Sequence, residues 1–154
     1  MRRVVVTGLG LVSPLGCGFE NSWSNILKGK SACGPITKFN AENFATQYAC
    51  EIPIGSKTGE FNPSDWMEEK DRRKVDDFIL YGIAASKEAI DDSGWMPKSQ
   101  SDQFRTGVMI GSGIGGLDLI YKTSLTLNQK GPRRISPFFI PASAAPIEGS
   151  TSFT

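Results

Sequence analysis

A chain of 154 residues with 17 Lys+Arg against 16 Asp+Glu, three cysteines and no histidine cannot complete a Ser-His-Asp triad, a Cys-His pair or a His-ligated metal site within itself. A formal net charge of +1 argues against a nucleic-acid surface, which needs a basic excess to neutralise several phosphates. With 39% hydrophobic and 21% charged residues the composition is that of one globular domain, and no apolar run reaches the ~18 residues of a membrane span.

The chain opens on Arg2-Arg3 followed by Val4, Val5 and Val6, which reads either as a signal peptide with Cys17 at a lipoprotein-like cleavage site or as a buried strand. The β-branched run ending in Thr7-Gly8 favours the strand over residues 3–7. Pro14 also stands just before Leu15-Gly16-Cys17, where a lipoprotein site prefers an aliphatic residue. A Gly/Pro-rich turn through Gly8, Gly10, Pro14, Gly16 and Gly18 leads to a short helix. Its apolar positions Phe19, Trp23, Ile26 and Leu27 repeat at helical spacing, and Gly29 is placed to end it in a left-handed cap.

Residues 30–62 mix Gly, Pro, Asn, Phe and Tyr without sustained periodicity and predict an ordered excursion, because linkers rarely carry this many aromatics. Asn62-Pro63 is a helix start, a side-chain cap followed by proline at the first position. From Asp71 to Asp92 the helical signal is the strongest in the chain. Val75, Phe78, Ile79, Gly82, Ile83, Ser86, Ala89 and Ile90 fall on one stripe, and Asp92-Ser93-Gly94 stops it. Thr106-Gly107-Val108-Met109-Ile110 predicts a second buried strand. It runs into a glycine turn and a helix from Leu117 to Gln129, closed by Lys130-Gly131-Pro132. Strands separated by helices imply an α/β fold with a largely parallel sheet, although two strands fall short of the ~4 to 6 of a stable sheet.

Gly111, Gly113 and Gly116 satisfy Gly-x-Gly-x-x-Gly between a predicted strand and helix, where backbone N–H groups can hold a pyrophosphate. The dinucleotide fingerprint also needs an acidic residue ~20 positions on, and that region holds Arg133-Arg134-Ile135-Ser136-Pro137 instead. Close backbone packing explains such glycines without a ligand and is the preferred reading. After the first strand, Ser13 stands where a third glycine belongs and Pro14 follows, so no ligand is inferred there either. Cys17, Cys33 and Cys50 form no Cys-x-x-Cys pair. With histidine absent they make no zinc set, and three is an odd number for a disulfide framework. Inert, reduced thiols in a cytoplasmic protein are expected, with no metal and no cofactor. Lys70, Arg73, Lys74 and Asp77 share one face of the predicted helix, normally a solvated one, with an acidic partner as the alternative.

Four segments taken together carry a resemblance: Arg-Arg-Val-Val-Val-Thr-Gly-Leu-Gly-Leu-Val-Ser-Pro-Leu-Gly at 2–16, Asp-Arg-Arg-Lys-Val-Asp-Asp-Phe-Ile-Leu-Tyr-Gly at 71–82, Gly-Ser-Gly-Ile-Gly-Gly at 111–116 and Gly-Pro-Arg-Arg-Ile-Ser-Pro-Phe-Phe-Ile-Pro at 131–141. In order and spacing they resemble the N-terminal part of a β-ketoacyl-acyl-carrier-protein synthase, most like type II. The resemblance implies a thiolase-like fold, here its incomplete N-terminal half, and a homodimer. It also implies decarboxylative condensation of acyl and malonyl groups carried on acyl carrier protein, by covalent catalysis with an oxyanion site. The family's nucleophilic cysteine would fall beyond residue 154 and its two histidines further on, so no catalytic residue is assigned in this chain and none of its cysteines takes that role. By the same resemblance Ile114 is a wall of the acyl pocket, and Phe139 is a pocket residue reaching the partner subunit's acyl site. Lys70, Arg73 and Lys74 are basic residues that meet the acidic carrier protein.

The likeness covers residues 2–141, giving a partial thiolase-like domain at 1–141 and a divergent tail at 142–154 with Pro146, Gly149 and a Ser/Thr-rich end. A shifted reading frame, an early stop or a cloning scar each accounts for such an ending. The chain is expected to be inactive alone. It is also expected to associate or need a partner, because the apolar stripe of the 71–92 helix packs in the family on a sheet whose other strands are missing here. A noncatalytic fragment that binds the carrier protein or dimerises with an intact subunit is the alternative.

Overall fold

The structure is a computed structural model that describes residues 3–143. The described residues divide into two compact units: residues 3–65 with 84–94, and residues 66–83 with 95–143.

In the first unit two short strands, β1 (Val12–Ser13) and β2 (Gly16–Cys17), form an antiparallel hairpin with Val12 opposite Cys17 and Ser13 opposite Gly16. Helix α1 (Phe19–Leu27) follows, with Gly18 at its N-cap and Gly29 at φ 67° just beyond its end. The helix is where its apolar spacing places it, but the stripe does not face inward. Trp23, Ile26 and Leu27 are exposed, whereas Ser22 is completely buried. The turn beneath α1 presents carbonyl groups that need donors. Ser22 Oγ donates to the Gly16 carbonyl at 2.8 Å, Asn21 Nδ2 to Cys17 at 3.0 Å and Asn25 Nδ2 to Leu15 at 2.7 Å.

The excursion after α1 is ordered, as composition indicates. It contains a second antiparallel pair, β3 (Cys33–Pro35) with β4 (Tyr48–Cys50), and ends at the completely buried Phe61. Asn62 caps as expected, its Oδ1 accepting the Ser64 N–H at 3.2 Å, but the result is a single 3-10 turn, Pro63–Asp65.

The predicted helix over 71–92 is two helices, α2 (Glu69–Arg72) and α3 (Asp77–Ser93). The break falls where Asp76 turns its carboxylate away from its own segment to the backbone of Leu119. Nor is the predicted stripe the most buried face of α3. Leu80 and Ala84, one helical turn apart, are the buried positions, 3% and 1% exposed. The C-terminal part of α3 belongs to the first unit and its N-terminal part to the second.

The second unit continues with α4 (Gln100–Phe104), α5 (Leu117–Lys130), a 3-10 turn at Pro132–Arg134 and α6 (Phe139–Ser143). Helix α4 has no strong periodicity, but its start is written in the sequence as Ser99-x-x-Asp102. Ser99 Oγ accepts the Asp102 N–H at 3.1 Å and its hydroxyl donates to Asp102 Oδ2 at 2.7 Å, an N-terminal capping arrangement.

Residues 3–7 and 106–110 are not strands and are not buried. Val4, Val5 and Val6 are 97%, 71% and 79% exposed, and Met109 is 96% exposed. Among the described residues the only sheets are the two antiparallel pairs, so the expected parallel sheet is not assembled. A strand exists only by pairing its backbone groups with a neighbour, and neither segment has one among the described residues. The expected divergent tail lies outside the described residues from 144 onward, while Ala142 and Ser143 complete α6.

Candidate functional site

Gly8 and Gly10 allow the backbone of residues 8–11 to lie directly against the C-terminal part of α3. A Cβ at Gly8 would sit 2.1 Å from the Ala89 carbonyl oxygen, and one at Gly10 would sit 1.9 Å from that of Ala85. Two carboxylates one turn apart on α3 secure this contact: Asp92 Oδ2 accepts the Leu9 N–H and Glu88 Oε2 the Leu11 N–H, each at 2.8 Å. Glu88 Oε1 also takes the N–H of Phe19, the first residue of α1, at 2.7 Å. Gly18, lacking a side chain, cannot cap α1 itself. A remote carboxylate satisfies this otherwise unpaired, part-buried helix N–H and sits at the positive end of the helix dipole.

The glycine turn before α5 repeats the device. Gly116 is the N-cap, and Asp76 Oδ2 accepts the N–H of Leu119 at 3.3 Å. A Cβ on Gly116 would lie 2.7 Å from that oxygen. Gly115, at φ 80°, brings the backbone against α6, where Ser143 O accepts the Gly116 N–H at 3.1 Å. The Gly-x-Gly-x-x-Gly pattern therefore serves packing at its C-terminal end. The helix N-terminus that a pyrophosphate would use already holds the negatively charged side chain of Asp76. Sequence reasoning missed both Glu88 and Asp76. Its available signal was a glycine at each N-cap, which shows that an acceptor must come from elsewhere without showing which.

Ile114 is 74% exposed in this turn, and Phe139 is half-buried at the start of α6. The two segments carrying them meet at the Gly116–Ser143 hydrogen bond. An open groove at the opposite end of α5 is lined by Thr126, Lys130 and Arg134.

Lys70 lies on α2, whereas Arg73 and Lys74 lie in the break before α3, so with Asp77 they do not share one continuous helical face. All three cations are exposed and each has a nearby carboxylate: Lys70 with Glu68 at 2.8 Å, Arg73 with Glu69, and Lys74 with Asp71 at 2.6 Å. The Lys74 ammonium also stands 5.9 Å from the centre of the Phe138 ring. Exposed pairs of this kind contribute little and exchange readily.

Cys17 is half-buried, and its thiol is pushed above the ordinary range first by burial and then by the neighbouring Glu88 carboxylate. Such surroundings suppress the thiolate, the nucleophilic form. No group of His, Cys, Asp and Glu among the described residues is arranged to hold a metal ion. No helix among them is long and apolar enough to cross a membrane.

The 3-oxoacyl-[acyl-carrier-protein] synthase 2 of Rhizobium meliloti (strain 1021) is 56% identical over 142 residues, 92% of this chain and 34% of that protein. The chain thus spans about a third of the length of such relatives. Among solved structures, the ishigamide ketosynthase/chain length factor aligns with a TM-score of 0.71 at 28% identity, covering 94% of this chain and 34% of that one. A type II PKS ketosynthase solved with its acyl-carrier protein aligns with a TM-score of 0.66 at 23% identity, over 94% of this chain and 35% of that one. The resemblance read from the four segments holds, and with it the thiolase-like α/β class. The family model described as Beta-ketoacyl synthase, N-terminal domain, matches residues 1–154, and the chain belongs to that family.

Proposed function

We propose that this chain is the N-terminal part of a type II 3-oxoacyl-acyl-carrier-protein synthase acting in fatty acid synthesis in the cytoplasm. The complete enzyme would be a homodimer. A cysteine thiolate takes the acyl group as a thioester, malonyl-carrier protein loses carbon dioxide, and the resulting carbanion attacks the thioester carbonyl. The C–C bond forms as the C–S bond breaks, returning the thiolate and leaving 3-oxoacyl-carrier protein. The 56% identity to the Rhizobium synthase over nearly the whole chain carries this reading. Ile114 and Phe139 would line the acyl pocket.

By itself the 154-residue chain holds no histidine and no cysteine matched to the nucleophile, so it is inactive alone. An assay with acyl- and malonyl-carrier protein should show no 3-oxoacyl product. Turnover near that of an intact synthase would overturn this.

The exposed cations Lys70, Arg73 and Lys74 support a second reading, a noncatalytic fragment that binds acyl carrier protein or dimerises with an intact subunit. Binding should weaken with salt and be lost on charge reversal at the three positions. No binding at low salt would end that reading.

A further inference from the structure

We propose that Cys33 and Cys50 are a redox pair that closes a reversible cross-strand disulfide by exchange with a small-molecule disulfide. The two residues stand directly opposite each other at the outer end of the β3–β4 pair. In an antiparallel ladder, opposed residues alternate between hydrogen-bonded and non-hydrogen-bonded pairs. The Ile36 N–H donates to the Gln47 carbonyl, and these residues continue the same register, so 36/47 is a hydrogen-bonded pair. Counting back along the register, 35/48 is non-hydrogen-bonded, 34/49 hydrogen-bonded and 33/50 non-hydrogen-bonded. That last class brings Cα atoms to roughly 4.5 Å, within the range a disulfide spans.

Side-chain direction agrees. Cys33 and Pro35 on one strand and Tyr48 and Cys50 on the other are exposed, while Gly34 and Ala49 between them are less so. Both thiols therefore stand on one solvent-facing surface of the hairpin, and both are free. Cys17 differs: it is half-buried, and Glu88 opposes its ionisation. A reagent from solvent meets the pair first.

The exchange balances in two steps. One cysteine thiolate attacks a sulfur of glutathione disulfide, forming a mixed disulfide and releasing one glutathione thiolate. The second cysteine thiolate then attacks the protein sulfur of the mixed disulfide and releases the other. The pair is oxidised by two electrons, glutathione disulfide is reduced to two glutathiones, and the two thiol protons pass to solvent and the leaving thiolates. Because the second thiol is already in register, its step is intramolecular and outruns capture by further glutathione. The product stays at the surface, where excess thiol reduces it again.

The test is to incubate the reduced 154-residue chain with glutathione disulfide, quench with acid, and read intact mass and a proteolytic map after alkylation. Before alkylation most of the wild-type chain should have lost two hydrogens and carry no glutathione. Cys33 and Cys50 should be joined in one linked peptide, Cys17 should be alkylated, and internal disulfide should exceed mixed disulfide by at least ~10-fold. C33S and C50S should each retain one glutathione on the remaining member of the pair. Wild-type chain carrying stable glutathione at both positions would overturn the proposal, as would a bridge through Cys17 or between chains, or single variants that take up none.

Discussion

Glu88 Oε1 accepts the backbone N–H of Phe19 at 2.7 Å across a sequence separation of 69 residues, while the other oxygen of the same carboxylate holds Leu11 at 2.8 Å. One side chain thus ties the start of α1 and the segment after the glycine pair to α3. Glu88→Ala leaves both N–H groups without their acceptor. Losing the charged acceptor should cost about 2 kcal/mol at each site, so amide exchange at Leu11 and Phe19 should rise roughly 30-fold. Glu88→Gln, which keeps an oxygen acceptor, should show a smaller rise. Both variants should lower the Cys17 thiol pKa, since the carboxylate now raises it, and alkylation of Cys17 should quicken.

The two kinds of glycine in this unit and α3 should separate cleanly on substitution. Gly10→Ala forces a Cβ against the Ala85 carbonyl and should destabilise by about 2–3 kcal/mol. Gly82 is inside α3 with nothing within 4 Å of its would-be Cβ, so Gly82→Ala should be neutral or stabilise by about 0.5–1 kcal/mol. Urea denaturation followed by circular dichroism distinguishes the two. Equal effects would show that segment 8–11 does not lie against α3.

Titration with NAD or NADP should be flat despite the Gly-x-Gly-x-x-Gly pattern, because Asp76 occupies the N-terminus of α5 and its charge opposes a phosphate. Saturable quenching of tryptophan fluorescence by either cofactor would contradict this.

The Thr37 hydroxyl and backbone N–H, followed by the Lys38 N–H, hold the Glu51 carboxyl below the usual carboxylate range. Its folded pKa is therefore lower than its unfolded one. The stabilisation is fully present above the unfolded value and is lost as pH falls through the folded value. Thr37→Val should raise the Glu51 pKa toward the ordinary range in a carboxyl-carbon NMR titration. An unchanged midpoint would mean that the hydroxyl does not set it.

The exposed apolar side chains, among them Phe104 at 83%, Met109 at 96% and Ile114 at 74%, should make the isolated chain associate. Light scattering during size-exclusion chromatography should find assemblies larger than one chain. A monomeric, cooperatively melting species would refute this.

Helices α1 and α5 were legible because each rests on local rules, apolar spacing for α1 and a glycine stop for both, and those rules act over a few residues. Residues 3–7 and 106–110 carry an equally local strand pattern, yet neither is a strand, because strand formation depends on a partner that no local pattern supplies. Family membership was legible for a third reason: four long segments in fixed order are specific in a way that one glycine motif is not.

By itself, then, the sequence determined the places of α1 and α5, the family and the exclusion of any histidine chemistry within this chain. It could not determine which face of α1 turns inward, where the 71–92 segment breaks, or why Gly8, Gly10 and Gly116 are glycine. Those were decided by Ser22 meeting the Gly16 carbonyl, by Asp76 meeting the backbone of Leu119, and by the Ala85 and Ala89 carbonyls lying against Gly10 and Gly8. The physical reason is that a buried carbonyl or N–H must be satisfied by whatever the fold brings beside it, and sequence periodicity carries no record of that neighbour.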